Sequence, residues 1–118
     1  MKEYSKLSCE ACDSNSSPLS PVEIESLMVS FTEWQLVEVD GIQQIQATFK
    51  TQNFENSVAF TNLLAQVSDH ENHHPRIILE YSSVTVEWWS HSIKGLHKND
   101  FIMAAKTEDI YQTKIAGN

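Results

Sequence analysis

Residues 69–100 read D-H-E-N-H-H-P-R-I-I-L-E-Y-S-S-V-T-V-E-W-W-S-H-S-I-K-G-L-H-K-N-D. Pro75 cannot continue a helix and biases His74 towards an extended backbone. Residues 76–81 then form one predicted strand and residues 84–91 another, with Ser82-Ser83 as the turn between them. In the second strand Val84, Val86, Trp88 and Ser90 share one face, and Thr85, Glu87, Trp89 and His91 share the other. Gly95 breaks the pattern, and a helix is predicted to start between His97 and Asn99 and to run towards Tyr111. Asp100 falls in its first turn, where free N–H groups and the helix dipole favour a carboxylate.

Working back from this run, residues 53–70 form a predicted helix. Asn53 caps it, and Phe54, Val58, Phe60, Leu63, Leu64 and Val67 make a wide apolar face suited to lying on a sheet. Before it, residues 34–39 and 42–50 alternate as strands around Asp40-Gly41, the best type I′ hairpin turn in the chain. Ile45, Ala47 and Phe49 give the second strand a dry face, and Trp34 is most simply a core residue. Residues 19–31 carry a strong helix start, with Ser20 as N-cap, Pro21 in first position and Glu23 closing a capping box. Ile24, Leu27, Met28 and Phe31 make its buried stripe.

The element order is therefore α-β-β-α-β-β-α. Hairpins separated by helices argue for an α+β fold, a four-stranded antiparallel sheet with three helices packed on one face. Residues 19–115 are expected to form a single domain, and residues 1–18, polar and serine-rich, a mobile N-terminal tail. Cys9-Glu10-Ala11-Cys12 is a C-x-x-C pair with no second pair to complete a zinc site, so both thiols are expected to be solvated.

A formal net charge of −8 argues against nucleic-acid binding, because a phosphate backbone would be repelled on average. No apolar run approaches the roughly 18 residues of a membrane span, and no secretory h-region is visible, so a cytoplasmic setting is expected.

All five histidines, His70, His73, His74, His91 and His97, lie in the quoted run, with Asp69, Glu71 and Asp100. Antiparallel pairing of the two strands brings His74 and Pro75 beside Ser90 and His91. Clustered imidazoles beside carboxylates admit two chemistries. His73, His74 and His91 could form a three-histidine metal set, although adjacent histidines on an extended segment point apart. Alternatively, one protonated and one neutral imidazole could move protons, with Asp69 and Asp100 holding the tautomers. The bland alternative is a pH-sensitive surface cluster.

This run resembles the signature of the pterin-4a-carbinolamine dehydratases. The matching residues are Asp69, His73-His74-Pro75, Tyr81, His91 and Asp100, and the stretch from Trp88 to Leu96 is similar to bacterial members. The resemblance covers residues 20–112. It implies a 4a-hydroxytetrahydrobiopterin dehydratase, a lyase that removes water from the 4a-carbinolamine to give quinonoid dihydropterin, using no cofactor and no metal. It thereby implies recycling of the pterin used by an aromatic amino acid hydroxylase. By the same resemblance His73 and His91 are the acid/base pair, His74 binds substrate and assists, Asp100 orients His91, and Asp69 or Glu71 supports His73. Substrate contacts are expected at His73, His74, Pro75, Ser90, His91, Ser92 and Ile93.

The resemblance also implies a homodimer or tetramer, and a dimer is expected because a four-stranded sheet leaves edges to cover. His97 stands where members often have Ser or Thr as N-cap, and His70 and His97 are both expected to be solvated. The competing readings are a non-catalytic binding, assembly or coactivator-like module on the same fold, and a metal-dependent enzyme.

Overall fold

A computed structural model describes residues 2–10 and 16–117. The elements are α1 (Lys2–Ser5), α2 (Pro21–Met28), β1 (Gln35–Val39), β2 (Ile42–Lys50), α3 (Phe54–Glu71), β3 (Arg76–Glu80), β4 (Ser83–Trp88) and α4 (Lys98–Ile110), followed by a π-helical turn at Tyr111–Ile115. The four strands form one antiparallel sheet in the order β1-β2-β4-β3. The α+β architecture is the one expected.

Local chemistry explains most boundaries. Ser20 Oγ accepts from the Glu23 N–H at 3.2 Å, and Glu23 Oε1 accepts from the Ser20 N–H at 2.9 Å, completing the capping box of α2. Asp40 and Gly41 both have positive φ, 53° and 80°, as a type I′ turn between β1 and β2 requires. Asn53 caps α3 by accepting from the Asn56 N–H at 2.8 Å.

The two central strands supply the floor of the core. Ile45, Ala47 and Phe49 of β2 pair with Trp88, Val86 and Val84 of β4, and all six side chains are buried on one face. Phe60 and Leu64 of α3, Phe101 and Met103 of α4, Ile24 of α2 and Phe31 cover that face. Trp88 has no exposed surface, and its indole N–H donates to Thr107 Oγ1 of α4 at 3.1 Å, so it ties sheet to helix as well as filling volume.

Several expectations are corrected. The first predicted helix stops at Met28, and hydrogen-bonded turns from Leu27 and Met28 carry Phe31 into the core outside the helix. The Glu80↔Ser83 pairing makes Tyr81-Ser82 the two-residue turn, one position earlier than expected. Strand β4 ends at Trp88, because the chain then folds back in a Ser90↔Gly95 bridge. Phe54, expected on the inner face of its helix, is exposed.

The largest difference is at the N-terminus, where residues 2–10 lie against the domain. Helix α1 packs on α4, Tyr4 meets Phe31 edge-on at 5.9 Å between centroids, and Lys106 Nζ donates to the Ser5 carbonyl at 2.8 Å. Serine-rich composition concealed this, because the contacts that hold the segment are to residues far along the chain. Cys12 lies outside the described residues.

Trp34 is a core residue, as expected, and its indole N–H donates to Glu108 Oε1 of α4 at 2.8 Å. Burial pushes the Glu108 carboxyl above its ordinary value of 4.5, against the opposing effect of the Trp34 hydrogen bond. A raised carboxyl pKa means that the folded state binds more protons than the unfolded one above pH 4.5. Stability should therefore fall as pH rises from 4.5 to the folded-state value, and level off beyond it. Glu108→Gln keeps an acceptor for Trp34 and removes the titration. Urea unfolding between about pH 4 and pH 8 should show a shallower decline for this variant; an unchanged slope would assign the decline elsewhere.

Candidate functional site

Helix α3 ends at Asn72, whose left-handed φ of 54° turns the chain, while the His73 N–H donates back to the Ser68 carbonyl at 3.1 Å. This is the Schellman closure that asparagine tolerates better than most non-glycine residues. The chain leaves extended through His73-His74-Pro75, so the two imidazoles diverge. The His73 side chain is 11% exposed and that of His74 is 55% exposed.

His73 is fixed on two sides. Its Nε2 lies 2.6 Å from Asp100 Oδ1, and its ring stacks on the Trp88 indole at 5.6 Å with an 8° interplanar angle. Asp100 has no exposed surface, and its other oxygen accepts from Ser90 Oγ and from the His97 N–H, each at 2.9 Å. With a carboxylate acceptor at Nε2, that nitrogen carries the proton of the neutral ring, and Nδ1 is the one able to accept another.

The pairing of acids with histidines differs from expectation. Asp100 engages His73, whereas His91 was expected. Asp69 Oδ1 lies 2.9 Å from His74 Nε2 on the surface, whereas His73 was expected. The two histidines are held by successive tryptophans, Trp88 at the end of β4 and Trp89 just beyond it. His73 rests on Trp88 above the buried carboxylate, and the exposed His91 stacks on Trp89 at 4.5 Å. Glu71 is committed elsewhere, with Oε1 accepting from the Cys9 N–H at 2.8 Å.

His97 is buried, contrary to expectation. Its Nδ1 accepts from the Asn99 N–H at 3.1 Å and caps α4, while Nε2 lies 3.6 Å from Glu10 Oε1. His70 is solvated as expected, with its side chain 81% exposed.

A cavity of about 550 Å³ gathers these groups, a size suited to a small ring system. His73, His74, Ser90, His91 and Ser92 line it, but Pro75 and Ile93 do not. Asp100 stands behind His73 rather than in the wall. Cys9, Glu10, Glu71, Asn72 and Asn99 complete the lining, and no lysine or arginine is among these described residues. The sequence reading did not assign the N-terminal pair or Asn99 to the site, since neither periodicity nor spacing links residue 9 to residue 99.

Cys9 is partly buried, against the expectation of a solvated thiol. Burial first, then the nearby Glu71, pushes its pKa up to about 12, so the thiol stays protonated near neutrality and is no nucleophile. Among the described residues no three His, Cys, Asp or Glu side chains are grouped to hold a metal ion. No helix among them is long and apolar enough to cross a membrane.

The sequence model of the pterin 4 alpha carbinolamine dehydratase family matches residues 17–110. The chain belongs to this family. Two curated relatives, from Microcystis aeruginosa and Marinobacter nauticus, are both named "Putative pterin-4-alpha-carbinolamine dehydratase". They are 42% and 44% identical, over 98% and 94% of this chain and the whole of each relative. A solved structure titled transcriptional coactivator/pterin dehydratase, from Brucella melitensis, aligns with a TM-score of 0.72 at 29% identity, covering 80% of this chain and 98% of that one. The family match begins after Cys9 and Glu10, so this part of the cavity wall lies outside the matched dehydratase segment.

Asp100→Asn tests how His73 is held. The His97 N–H can only donate, so the Asn oxygen should stay beside it and the amide NH₂ should face His73 Nε2. That forces the neutral His73 proton onto Nδ1, visible in imidazole ¹⁵N shifts. Stability should drop by about 2–4 kcal/mol. An unchanged tautomer would mean that Asp100 does not set it.

Proposed function

We propose that this chain dehydrates a 4a-hydroxytetrahydropterin to quinonoid dihydropterin and water. The observation that carries this reading is His73, pinned between a buried carboxylate and an indole in a cavity that His74 and His91 also line. Family membership supplies the substrate class.

The reaction needs two proton transfers. The N5 lone pair expels the 4a-hydroxyl, which must leave as water after gaining a proton, and the N5–H proton must then be lost. His91, exposed and stacked on Trp89, is suited to protonate the departing hydroxyl. His73 is suited to take the N5 proton at Nδ1, because the Asp100 carboxylate at Nε2 offsets the charge the ring acquires. His74 and Asp69 form a partly solvated pair at the rim that orients substrate. Ser90 and Ser92 offer hydroxyl and backbone groups to the pterin edge.

A lining without lysine or arginine fits an uncharged ring. The product is the form that a reductase returns to the tetrahydropterin used by aromatic amino acid hydroxylases. Strands β1 and β3 are the edge strands of the sheet, where a second copy could pair, and a homodimer is the assembly proposed.

Stopped-flow absorbance of freshly generated 4a-hydroxytetrahydropterin, with chelator present, tests the reading. The protein should accelerate decay, and His73→Ala or His91→Ala should lower kcat/KM by about 10²–10⁴-fold with the fold retained. No acceleration by the folded protein would overturn it in favour of a non-catalytic binding or assembly module.

A further inference from the structure

Residues 9 and 10 are built into the cavity wall. The Cys9 N–H donates to Glu71 Oε1 at 2.8 Å. The Glu10 N–H donates to Asn99 Oδ1 at 3.0 Å, and Asn99 Nδ2 donates to the Glu10 carbonyl at 2.7 Å. The Asn99 amide thus engages both backbone groups of Glu10, as a neighbouring strand would. Asn99 is only 2% exposed, and its own N–H is fixed by His97 Nδ1, so this clamp has little freedom to move.

With its backbone committed, the carboxylate is what Glu10 presents. Its side chain is 68% exposed, and Oε1 lies 3.6 Å from His97 Nε2, the nitrogen that carries the proton when Nδ1 accepts from Asn99. Glu71, the other carboxylate in the lining, has a side chain only 8% exposed and is bound to the Cys9 N–H. Glu10 is therefore the carboxylate in the described lining that a ligand can reach.

A pterin carries two adjacent donors, N3–H and the 2-amino group, on the pyrimidinone edge away from C4a. Two parallel N–H groups match the two oxygens of one carboxylate. We propose that Glu10 is a specificity-determining residue that accepts from this donor pair, and that Asn99 is the positioning residue that holds it in place. This rests on the pterin reading above and adds how the ring is told from its relatives.

The test uses the full chain and two ligands, 7,8-dihydrobiopterin and the corresponding lumazine, in which an oxo group replaces the 2-amino group. Fluorescence titration of the wild type should favour the pterin by about 10- to 100-fold, because the lumazine turns a donor into an acceptor against the carboxylate. Glu10→Gln, with one acceptor oxygen, should reduce that preference to a few-fold and raise KM about tenfold, with kcat nearly unchanged. Asn99→Ala should lose the same preference. A purely structural role would weaken both ligands alike and leave their ratio intact. If the wild type accelerates dehydration and Glu10→Gln keeps the wild-type ratio, the Glu10 assignment alone falls. If the wild type neither accelerates dehydration nor binds either ligand, the pterin reading falls and this assignment with it.

Discussion

The Asp100 carboxylate, with no exposed surface, joins three separate stretches of chain through two oxygen atoms. It receives His73 from the end of α3, Ser90 from beyond β4 and the backbone of His97 at the start of α4. A buried carboxylate carries a large desolvation cost unless its lone pairs are filled. Here they are filled by three partners, two of which are also needed for local structure: the His97 N–H is part of a helix cap, and Ser90 belongs to the bridge that closes the turn with Gly95. The same contacts that satisfy the charge therefore set the His73 ring. The site is rigid because dismantling it would leave a buried charge without partners.

Around that carboxylate the aromatic residues complete the positioning. Trp88 fixes the plane of His73 from below and is itself fixed by Thr107, whose hydroxyl donates to the Met103 carbonyl within α4. Trp89, one residue on, stacks with His91. Two adjacent tryptophans thus hold two imidazoles in unlike environments, one enclosed and one open to water. The acid and base roles proposed for His91 and His73 call for that kind of difference.

The N-terminal segment is a second layer on this arrangement. It contributes Cys9 and Glu10 to the cavity, and each is tied to an acid or amide that belongs to the folded domain. The thiol, held protonated by burial and Glu71, acts as filler near the Asn99 carbonyl rather than as reactive sulfur. Closing the cavity with residues from the far end of the chain separates two tasks. On the proposed function, the helix and strand ends hold the reacting groups and the N-terminal segment presents polar groups to the rest of the pterin.

Much of this was legible in the residues themselves. Pro75, Asp40-Gly41, the Ser20–Glu23 box and the alternation of β2 act locally, through steric limits on φ and ψ or hydrogen bonds spanning three residues, so a sequence reading reaches them. Antiparallel pairing likewise brings the His74 end of β3 towards the Ser90 end of β4, and both residues line the cavity. The partners of each histidine were decided by the tertiary structure. Asp100 takes His73, not His91: the buried carboxylate at the start of α4 lies beside the His73 ring stacked on Trp88, whereas His91 stacks on Trp89. His97 is buried because α1 and residues 9–10 return to cover the start of α4, a contact spanning some ninety residues of chain. Local chemistry is written in neighbouring residues; which carboxylate meets which imidazole depends on how distant segments stack, and that emerges only when the core closes.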